Sequence, residues 1–320
     1  MLARRHSERR LVNIDRRALR RAADRAAQSY DQAAILAAEV GDRLLERLEL
    51  IRLDPRVVVD VGCGTGRTTE ALLKRYRRAR TIGTDLALQP LRMSQRRGDW
   101  RRRIRGVCAD AEALPLADGC CDLLFSNLML YWCPDPRAAL AEFNRILRPG
   151  GVLMFATLGR DTLKELRDSW RFLEPLAHTL EFSDMHDLGD ALLRGGWAQP
   201  VMDMEILTVN YPDPAVLLQD LRQTGETNCR TDRRRSLTGP GRLRAMKARY
   251  ADVYGHKDRV PATWEIVYGH AWRTGGSQTT LQPDGVSEVR IGVDALRATV
   301  PPRARRSRQR PPSARNCIEA

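Results

Sequence analysis

The chain has 320 residues and a formal net charge of +14, and 42% of its residues are hydrophobic. That length suits one elaborated α/β unit, and no apolar run approaches the roughly 20 residues that would span a bilayer. The seven cysteines form no C-x-x-C pair and have no histidine at metal-ligand spacing. We therefore expect reduced thiols, a cytoplasmic location, no metal site and no membrane segment.

Arginine supplies most of the positive charge, in clusters at residues 4–25, 92–105, 230–249 and 301–306. Such a surface attracts an acidic partner over a long range, and two classes of partner fit: nucleic acid and an acidic protein. A genome rich in arginine codons would leave the same composition. The charge alone therefore does not choose the partner.

The N-terminal region is predicted to be helical over residues 11–48. Small and aromatic residues, among them Ala22, Ala26 and Tyr30, recur there at three- and four-residue spacing along one face. We expect this segment to pack over the central cleft as a lid and to bring Tyr30 near the substrate.

The segment 57–61 is a β-branched run that predicts a strand buried on both faces. It leads into Gly62, Gly64 and Gly66 and then into a helix predicted over residues 68–78. The order Asp-x-Gly-x-Gly-x-Gly, which starts at Asp60, differs from the G-x-G-x-x-G of dinucleotide sites. An acidic residue ahead of the glycines suits an amine-bearing ligand, and the pattern therefore indicates S-adenosylmethionine.

The next three predicted strands each end in a polar residue. Strand 81–84 ends at Asp85, where a carboxylate can accept both ribose hydroxyls, and strand 104–108 is followed by Asp110, placed for the adenine amino group. A fourth strand, 121–127, finishes beside the glycine loop. The candidate cofactor-binding residues are Asp60, Gly62, Gly64, Gly66, Asp85, Leu86, Asp110, Ala111 and Asn127.

These motifs, together with the Leu147-Arg148-Pro149-Gly150-Gly151 turn, resemble the class I S-adenosylmethionine-dependent methyltransferases over residues 44–158. The resemblance implies an α/β fold with a Rossmann-like, seven-stranded sheet and helices on both faces.

Further along the chain we predict a helix at 136–147, a helix with a glycine stop in the segment 185–197, a sixth strand at 202–210 and a last strand at 264–272, whose alternation suits a sheet edge. An insertion before that last strand is interpreted as a helical substrate lid. The predicted organisation is an N-terminal helical segment (1–43), a methyltransferase core (44–211), a lid insertion (212–259), the last strand of the core (260–273) and a basic, largely disordered tail with a short strand at 289–293 (274–320).

The residues after the fourth strand bear on the acceptor. Amine methyltransferases of nucleic acids typically carry an [N/D/S]-P-P-[Y/F/W] turn, where this chain has Ser126-Asn127-Leu128-Met129. The apolar run 128–132 suits a small or acyl-like group, which makes nucleic acid an unfavoured partner. A carboxylate acceptor needs no general base, and the lid offers arginines to hold it: Arg230, Arg233, Arg234 and Arg235.

Several segments resemble the malonyl-acyl-carrier-protein O-methyltransferases of biotin synthesis. They are residues 26–31, 118–128, 182–187, 221–228, 237–239 and 268–272. The resemblance implies methylation of the free carboxylate of a malonyl thioester carried by acidic acyl carrier protein, with malonyl-coenzyme A as another possible carrier. It also implies contact of that carboxylate with a tyrosine and a lid arginine, which match Tyr30 and Arg235.

One position departs from the family pattern. Glu226 stands where the family usually has alanine or glycine, and it adds a negative charge near an anionic substrate. Two other functions therefore stay open on the sequence alone: an assembly factor of the related arginine-hydroxylase type, and an RNA methyltransferase.

Overall fold

The computed structural model describes residues 14–98 and 101–275, together with the backbone of 280–281 and 287–288. The chain divides into two compact units, Met1–Gly275 and Gly276–Ala320. In the second unit, strand Thr280–Leu281 pairs antiparallel with Ser287–Glu288. The strand predicted at 289–293 lies outside the described residues, as does most of the tail.

Seven strands form one sheet within the described part of the first unit, in the order β3-β2-β1-β4-β5-β7-β6. Their bounds are β1 Val57–Val61, β2 Arg80–Asp85, β3 Arg105–Cys108, β4 Cys121–Asn127, β5 Leu147–Leu158, β6 Trp197–Tyr211 and β7 Val260–Arg273. Strands β1 to β5 run parallel, whereas β7 is antiparallel to both of its neighbours. The predicted fold class is confirmed.

The helices of the described region are α1 Arg16–Ala33, α2 Ile35–Arg47, α3 Arg67–Arg75, α4 Leu88–Ser94, α5 Pro136–Ile146, α6 Lys164–Leu173, α7 Met185–Arg194, α8 Pro214–Gln223 and α9 Pro240–Tyr254. Four of them begin after an aspartate whose side chain accepts a backbone N–H of the first turn: Asp15, Asp135, Asp184 and Asp213. Such caps satisfy donors that the helix itself leaves unpaired. Local sequence therefore fixes where these helices start.

The hydrophobic core lies on both faces of the sheet. In β1, Val58 belongs to one buried cluster, whereas Val59 and Val61 belong to the other. Alternate residues of a strand point to opposite faces, so a continuous apolar run is needed where helices cover both. This is why the 57–61 segment carries no polar residue except Asp60.

The N-terminal region differs from the single helix predicted over 11–48. Helix α1 ends at Ala33, and α2 begins at Ile35. Between them Ala34 has φ −81° and ψ 50°, although its N–H still donates to the carbonyl of Tyr30 at 2.7 Å. The break re-aims the chain, so that α1 packs on α4 and α8 while α2 packs on α3, β4 and β5.

The prediction that the last strand lies at a sheet edge is wrong. β7 lies between β5 and β6, and β6 is the edge strand. Most β7 residues are buried, and Gly269 lies so close to Phe155 that a Cβ there would be 2.4 Å from the ring. Alternation indicates a two-faced strand but does not tell an edge from an interior position.

No helix in the part of the chain that the structure describes is long and apolar enough to cross a bilayer.

Candidate active site

The carboxyl ends of β3, β2, β1 and β4 lie side by side and form the floor of a cavity of about 1140 Å³, mouth included. Helix α1 and the loop after α8 also contribute to its wall. In an open α/β sheet this edge, where the strand order reverses beside β1, is where ligands bind.

The glycine loop after β1 approaches its neighbours closely. Gly62 has φ +76°, and a Cβ there would lie 2.3 Å from Cβ and Cγ of Met129. Gly64 has φ +54°, lines the cavity, and would place a Cβ in space that no protein atom fills within 4 Å. Both positions therefore need glycine, the first because of packing and the second because of its backbone angle.

Asp85 ends β2 inside the cavity. Its carboxylate accepts the backbone N–H of Gly64 at 2.9 Å and that of Ala87 at 2.8 Å. Burial raises the pKa of Asp85, while these two N–H groups oppose the rise. The carboxylate is thus held in place and still presents oxygen to the cavity.

Asp110 follows β3 and lines the same cavity with Ala111. One oxygen of Asp110 accepts the backbone N–H of Glu112 at 3.0 Å. The guanidinium of Arg16, from α1, forms ion pairs with both Asp110 and Glu112. The sequence did not predict a role for Arg16, because Asp110 and Glu112 lie far along the chain and no local sequence pattern indicates these ion pairs.

Asp60 does not line the cavity, although the sequence placed it among the cofactor ligands. It is fully buried behind the glycine loop, where its Oδ2 accepts the hydroxyls of Thr68 at 3.0 Å and Thr69 at 2.6 Å. Burial raises the pKa of Asp60 to about 6. Its Oδ1 has no hydrogen-bond partner among the described residues.

Asn127, at the end of β4, does line the cavity. Its amide nitrogen donates to the carbonyl of Ala37 in α2 at 2.9 Å, which fixes the side chain. Its Oδ1 is buried and, within the described chain, lacks a donor.

Beside β4 the cavity wall carries three ionisable side chains close together, those of Tyr30, Tyr131 and Glu226. The hydroxyl of Tyr131 hydrogen-bonds the carboxyl group of Glu226. Burial raises the pKa of both tyrosines, and the nearby Glu226 carboxylate raises them further. Both phenols are therefore protonated hydrogen-bond donors at neutral pH.

The four lid arginines do not line this cavity. Arg230 is buried and bonds Asp232 at 2.7 Å, Arg233 bonds Asp15 at 3.0 Å, and Arg234 bonds Glu174 at 3.0 Å. Arg235 is exposed. The basic run thus ties the lid to α1 and to the end of α6 in the arrangement described.

The cavity brings together eight of the sequence-predicted site residues: Tyr30, Gly62, Gly64, Asp85, Leu86, Asp110, Ala111 and Asn127. It does not include Asp60, Gly66 or Arg235. Gly66 instead allows close packing of the loop on α4, because a Cβ there would lie 2.6 Å from Cβ of Ser94.

The residues present suit an adenosyl cofactor with an ammonium group. Carboxylates at the ends of β2 and β3 match ribose hydroxyls and an adenine amine, in the positions where nucleotide folds place them. The unpartnered oxygen of Asn127 matches a cationic N–H donor. Within residues 14–98 and 101–275, no group of three or more His, Cys, Asp or Glu side chains is placed to hold a metal ion.

Residues 59–155 match the family model described as a methyltransferase domain. The chain is 46% identical over 286 residues to a malonyl-[acyl-carrier protein] O-methyltransferase of Halorhodospira halophila, covering 89% of this chain and 96% of the relative. It is 42% identical over 292 residues to the enzyme of the same name from a Methylovorus species, covering 89% and 98%.

Solved structures agree in fold. The YcgJ protein of Bacillus subtilis aligns with a TM-score of 0.53 at 16% identity, over 73% of this chain and 98% of that one. A methyltransferase from Bacillus halodurans, titled as putative, aligns with a TM-score of 0.52 at 14% identity, over 72% and 99%. With its cofactor cavity and its full-length relatives, the chain belongs to the malonyl-[acyl-carrier protein] O-methyltransferase family of S-adenosylmethionine-dependent enzymes.

Proposed function

We propose that this protein methylates the free carboxylate of a malonyl group carried by acyl carrier protein. The observation that carries the proposal is a cavity with the carboxylates of Asp85 and Asp110 at one end and an apolar, hydroxyl-bearing wall at the other. It occurs in a chain whose relatives bear the name of that reaction. Neither an RNA methyltransferase nor an arginine-hydroxylase-type assembly factor is favoured by these relatives.

The cofactor would lie along the strand ends. Asp85 would accept the ribose hydroxyls, and Asp110 would accept the adenine amino group beside Leu86 and Ala111. The backbone of Gly62 and Gly64 would approach the methionyl portion, whose ammonium suits the unpartnered oxygen of Asn127. When bound, S-adenosylmethionine supplies an electrophilic methyl group on a positively charged sulfur.

The acceptor end contains the side chains of Met129, Tyr131 and Trp132. These apolar bodies exclude water from an anionic oxygen, which makes the oxygen more reactive. The hydroxyl of Tyr30 can donate a hydrogen bond to the carboxylate, whereas that of Tyr131 is already bonded to Glu226. One carboxylate oxygen is then positioned while the other stays available to the methyl carbon.

Methyl transfer to a carboxylate requires alignment of the attacking oxygen with the methyl group and needs no proton transfer. An ionised carboxylate forms the new O–C bond as the S–C bond breaks, and its charge cancels that of the sulfonium. No base is required, and none of the histidines in the described part of the chain lines the cavity. Orientation by fixed side chains accounts for most of the rate in such a reaction.

Arg235 remains a prediction from the family resemblance. It is exposed and lies outside the cavity as described, so contact with the acyl carboxylate would need the lid loop to move inward. Arg235→Ala tests this directly. If the KM for malonyl carrier protein rises about tenfold while kcat is retained, the contact is supported. An unchanged KM would mean that Arg235 does not contact the acyl carboxylate and that Tyr30 binds it without Arg235.

The carrier is also part of the proposal. The net charge of +14 suits an acidic carrier protein, and we expect malonyl-coenzyme A to be the poorer methyl acceptor. A cytoplasmic location is proposed with it, which the free thiols of the six described cysteines suit.

The test offers isotope-labelled S-adenosylmethionine to the protein with malonyl carrier protein, acetyl carrier protein, malonyl-coenzyme A or bulk RNA. We expect label in the malonyl carrier protein, with little in malonyl-coenzyme A and none in the other two. Label in acetyl carrier protein or RNA would contradict carboxyl methylation.

A further inference from the structure

Glu226 places an acidic side chain in the wall of the cavity that should accept an anion. Its position is fixed from both sides. Gly225 packs on α1, where a Cβ would lie 3.2 Å from Cβ of Ala26. Asn228 donates to the carbonyl of Ala177 at 2.6 Å. The backbone that carries Glu226 is therefore held at the cavity wall.

Little around Glu226 balances a negative charge. Among the described residues its polar partner is the hydroxyl of Tyr131, and the phenols of Tyr30 and Tyr211 lie near it. Asp85, which lines the same cavity, and Asp31, which follows Tyr30 in α1, also act on Tyr30 and add negative charge. The site therefore favours the neutral form of Glu226.

The arginines of the described cavity lie at its other end. Arg16 forms ion pairs with Asp110 and Glu112, and Arg20 lies beside Cys108 at 3.9 Å. Lid arginines Arg230 and Arg233 are paired with other acids. In the arrangement described, with Arg235 outside the cavity, an acyl carboxylate entering beside β4 would therefore meet phenols and Glu226 rather than a guanidinium.

We propose that Glu226 is a specificity-determining residue that receives the acceptor carboxylate in its protonated form. Its O–H donates a hydrogen bond to one carboxylate oxygen, beside the hydroxyl of Tyr30, while its carbonyl oxygen accepts the hydroxyl of Tyr131. The inference rests on the proposed function and names how that site holds its anion. The proton stays on Glu226 throughout, because the carboxylate becomes a neutral ester by forming the O–C bond.

Two neutral donors, the hydroxyl of Tyr30 and the protonated Glu226, suit this reaction. A guanidinium pair would hold the carboxylate more tightly but would withdraw electron density from the attacking oxygen. Hydroxyl and carboxyl donors orient the anion at a smaller loss of nucleophilicity. An ionised Glu226, by contrast, would repel the acceptor in a site of low dielectric constant.

The consequence is a pH-dependent affinity. Burial raises the pKa of Glu226 to about 7, whereas the acceptor carboxylate stays ionised well below that pH. The fraction of the protein in which Glu226 is protonated, and can therefore bind the acceptor, falls from about nine-tenths at pH 6 to about one-tenth at pH 8. We expect the KM for malonyl carrier protein to rise about tenfold over this range, with kcat nearly constant.

The experiment compares wild type with Glu226→Gln and Glu226→Ala, using malonyl carrier protein between pH 6 and pH 8. Glutamine is a permanently neutral donor, so its KM should stay flat and close to the wild-type value at pH 6. Alanine should also be flat, but at a higher KM. Glu49→Gln, an exposed site paired with Arg75, serves as the matched control and should keep the wild-type profile.

A second measurement needs no variant. Calorimetric titration of malonyl carrier protein into the protein saturated with S-adenosylhomocysteine, in buffers of different ionisation heat at pH 8, should show uptake of nearly one proton per acceptor bound. A pH-independent wild-type KM, or a Glu226→Gln profile that parallels wild type, would overturn the role of Glu226 while leaving the function intact. No methylation of malonyl carrier protein at any pH would overturn the function and this inference together.

Discussion

Two neighbouring glycines of the β1 loop should fail in different ways when each is replaced by alanine. At Gly62 the new Cβ would overlap the side chain of Met129, with contacts of 2.3 Å. Left-handed backbone costs an alanine about 1–2 kcal/mol, and overpacking adds about 1–3 kcal/mol. We therefore expect Gly62→Ala to lose about 2–5 kcal/mol of unfolding free energy.

Gly64→Ala meets no atom within 4 Å, so only the backbone term of about 1–2 kcal/mol applies. Its methyl group would instead occupy space at the cavity wall, where the cofactor is proposed to lie. We expect the dissociation constant for S-adenosylhomocysteine to rise at least about tenfold, which is a loss of about 1.4 kcal/mol of binding free energy. The N–H that donates to Asp85 is retained, so the loss would be steric.

Urea unfolding and calorimetric binding of S-adenosylhomocysteine measure the two effects separately on each variant. The reasoning is refuted if Gly64→Ala is the less stable of the pair. It is also refuted if Gly64→Ala binds S-adenosylhomocysteine as tightly as wild type, because Gly64 would then not face the cofactor.

The other predictions concern charge. The raised pKa of Asp60, about 6 against 3.8, means that the folded state binds its proton more tightly, so stability is lost as pH rises from about 4 to about 6. The free energy of unfolding of Asp60→Asn should therefore exceed that of wild type by up to about 3 kcal/mol above pH 6. A difference in urea unfolding that is the same at about pH 4 as above pH 6 would contradict this. Arg16→Ala should lower the free energy of unfolding by at most about 1 kcal/mol, since the Arg16 side chain is 41% exposed. It should nevertheless speed amide hydrogen exchange in α1, and unchanged exchange would show that the ion pairs of Arg16 do not hold α1 in place.

Much of the architecture follows from local signals in the sequence. The β-branched run, the spaced glycines and the polar residues after β2 and β3 placed the cofactor cavity, because strand ends in a parallel sheet share one edge. The aspartate cap at Asp135 likewise fixes the start of α5, which was predicted at residue 136.

Contacts between residues or strands that are far apart in the chain could not be predicted from the sequence. Neither glycine nor proline marks the break at Ala34, and the interior place of β7 depends on which strand pairs with it, which periodicity does not encode. The pairing of Arg16 with Asp110 joins residues almost a hundred positions apart. Arg235 matched a family position, yet which arginine of a run faces a cavity depends on the fold of the loop.

The most direct test of the proposed reaction is the intact mass of malonyl carrier protein after incubation with the protein and unlabelled S-adenosylmethionine. We predict a gain of one methylene unit on the malonyl group, the net change when a carboxylic acid becomes its methyl ester. A mass gain on the carrier polypeptide, or none on the malonyl group while the protein binds S-adenosylhomocysteine, would contradict carboxyl methylation.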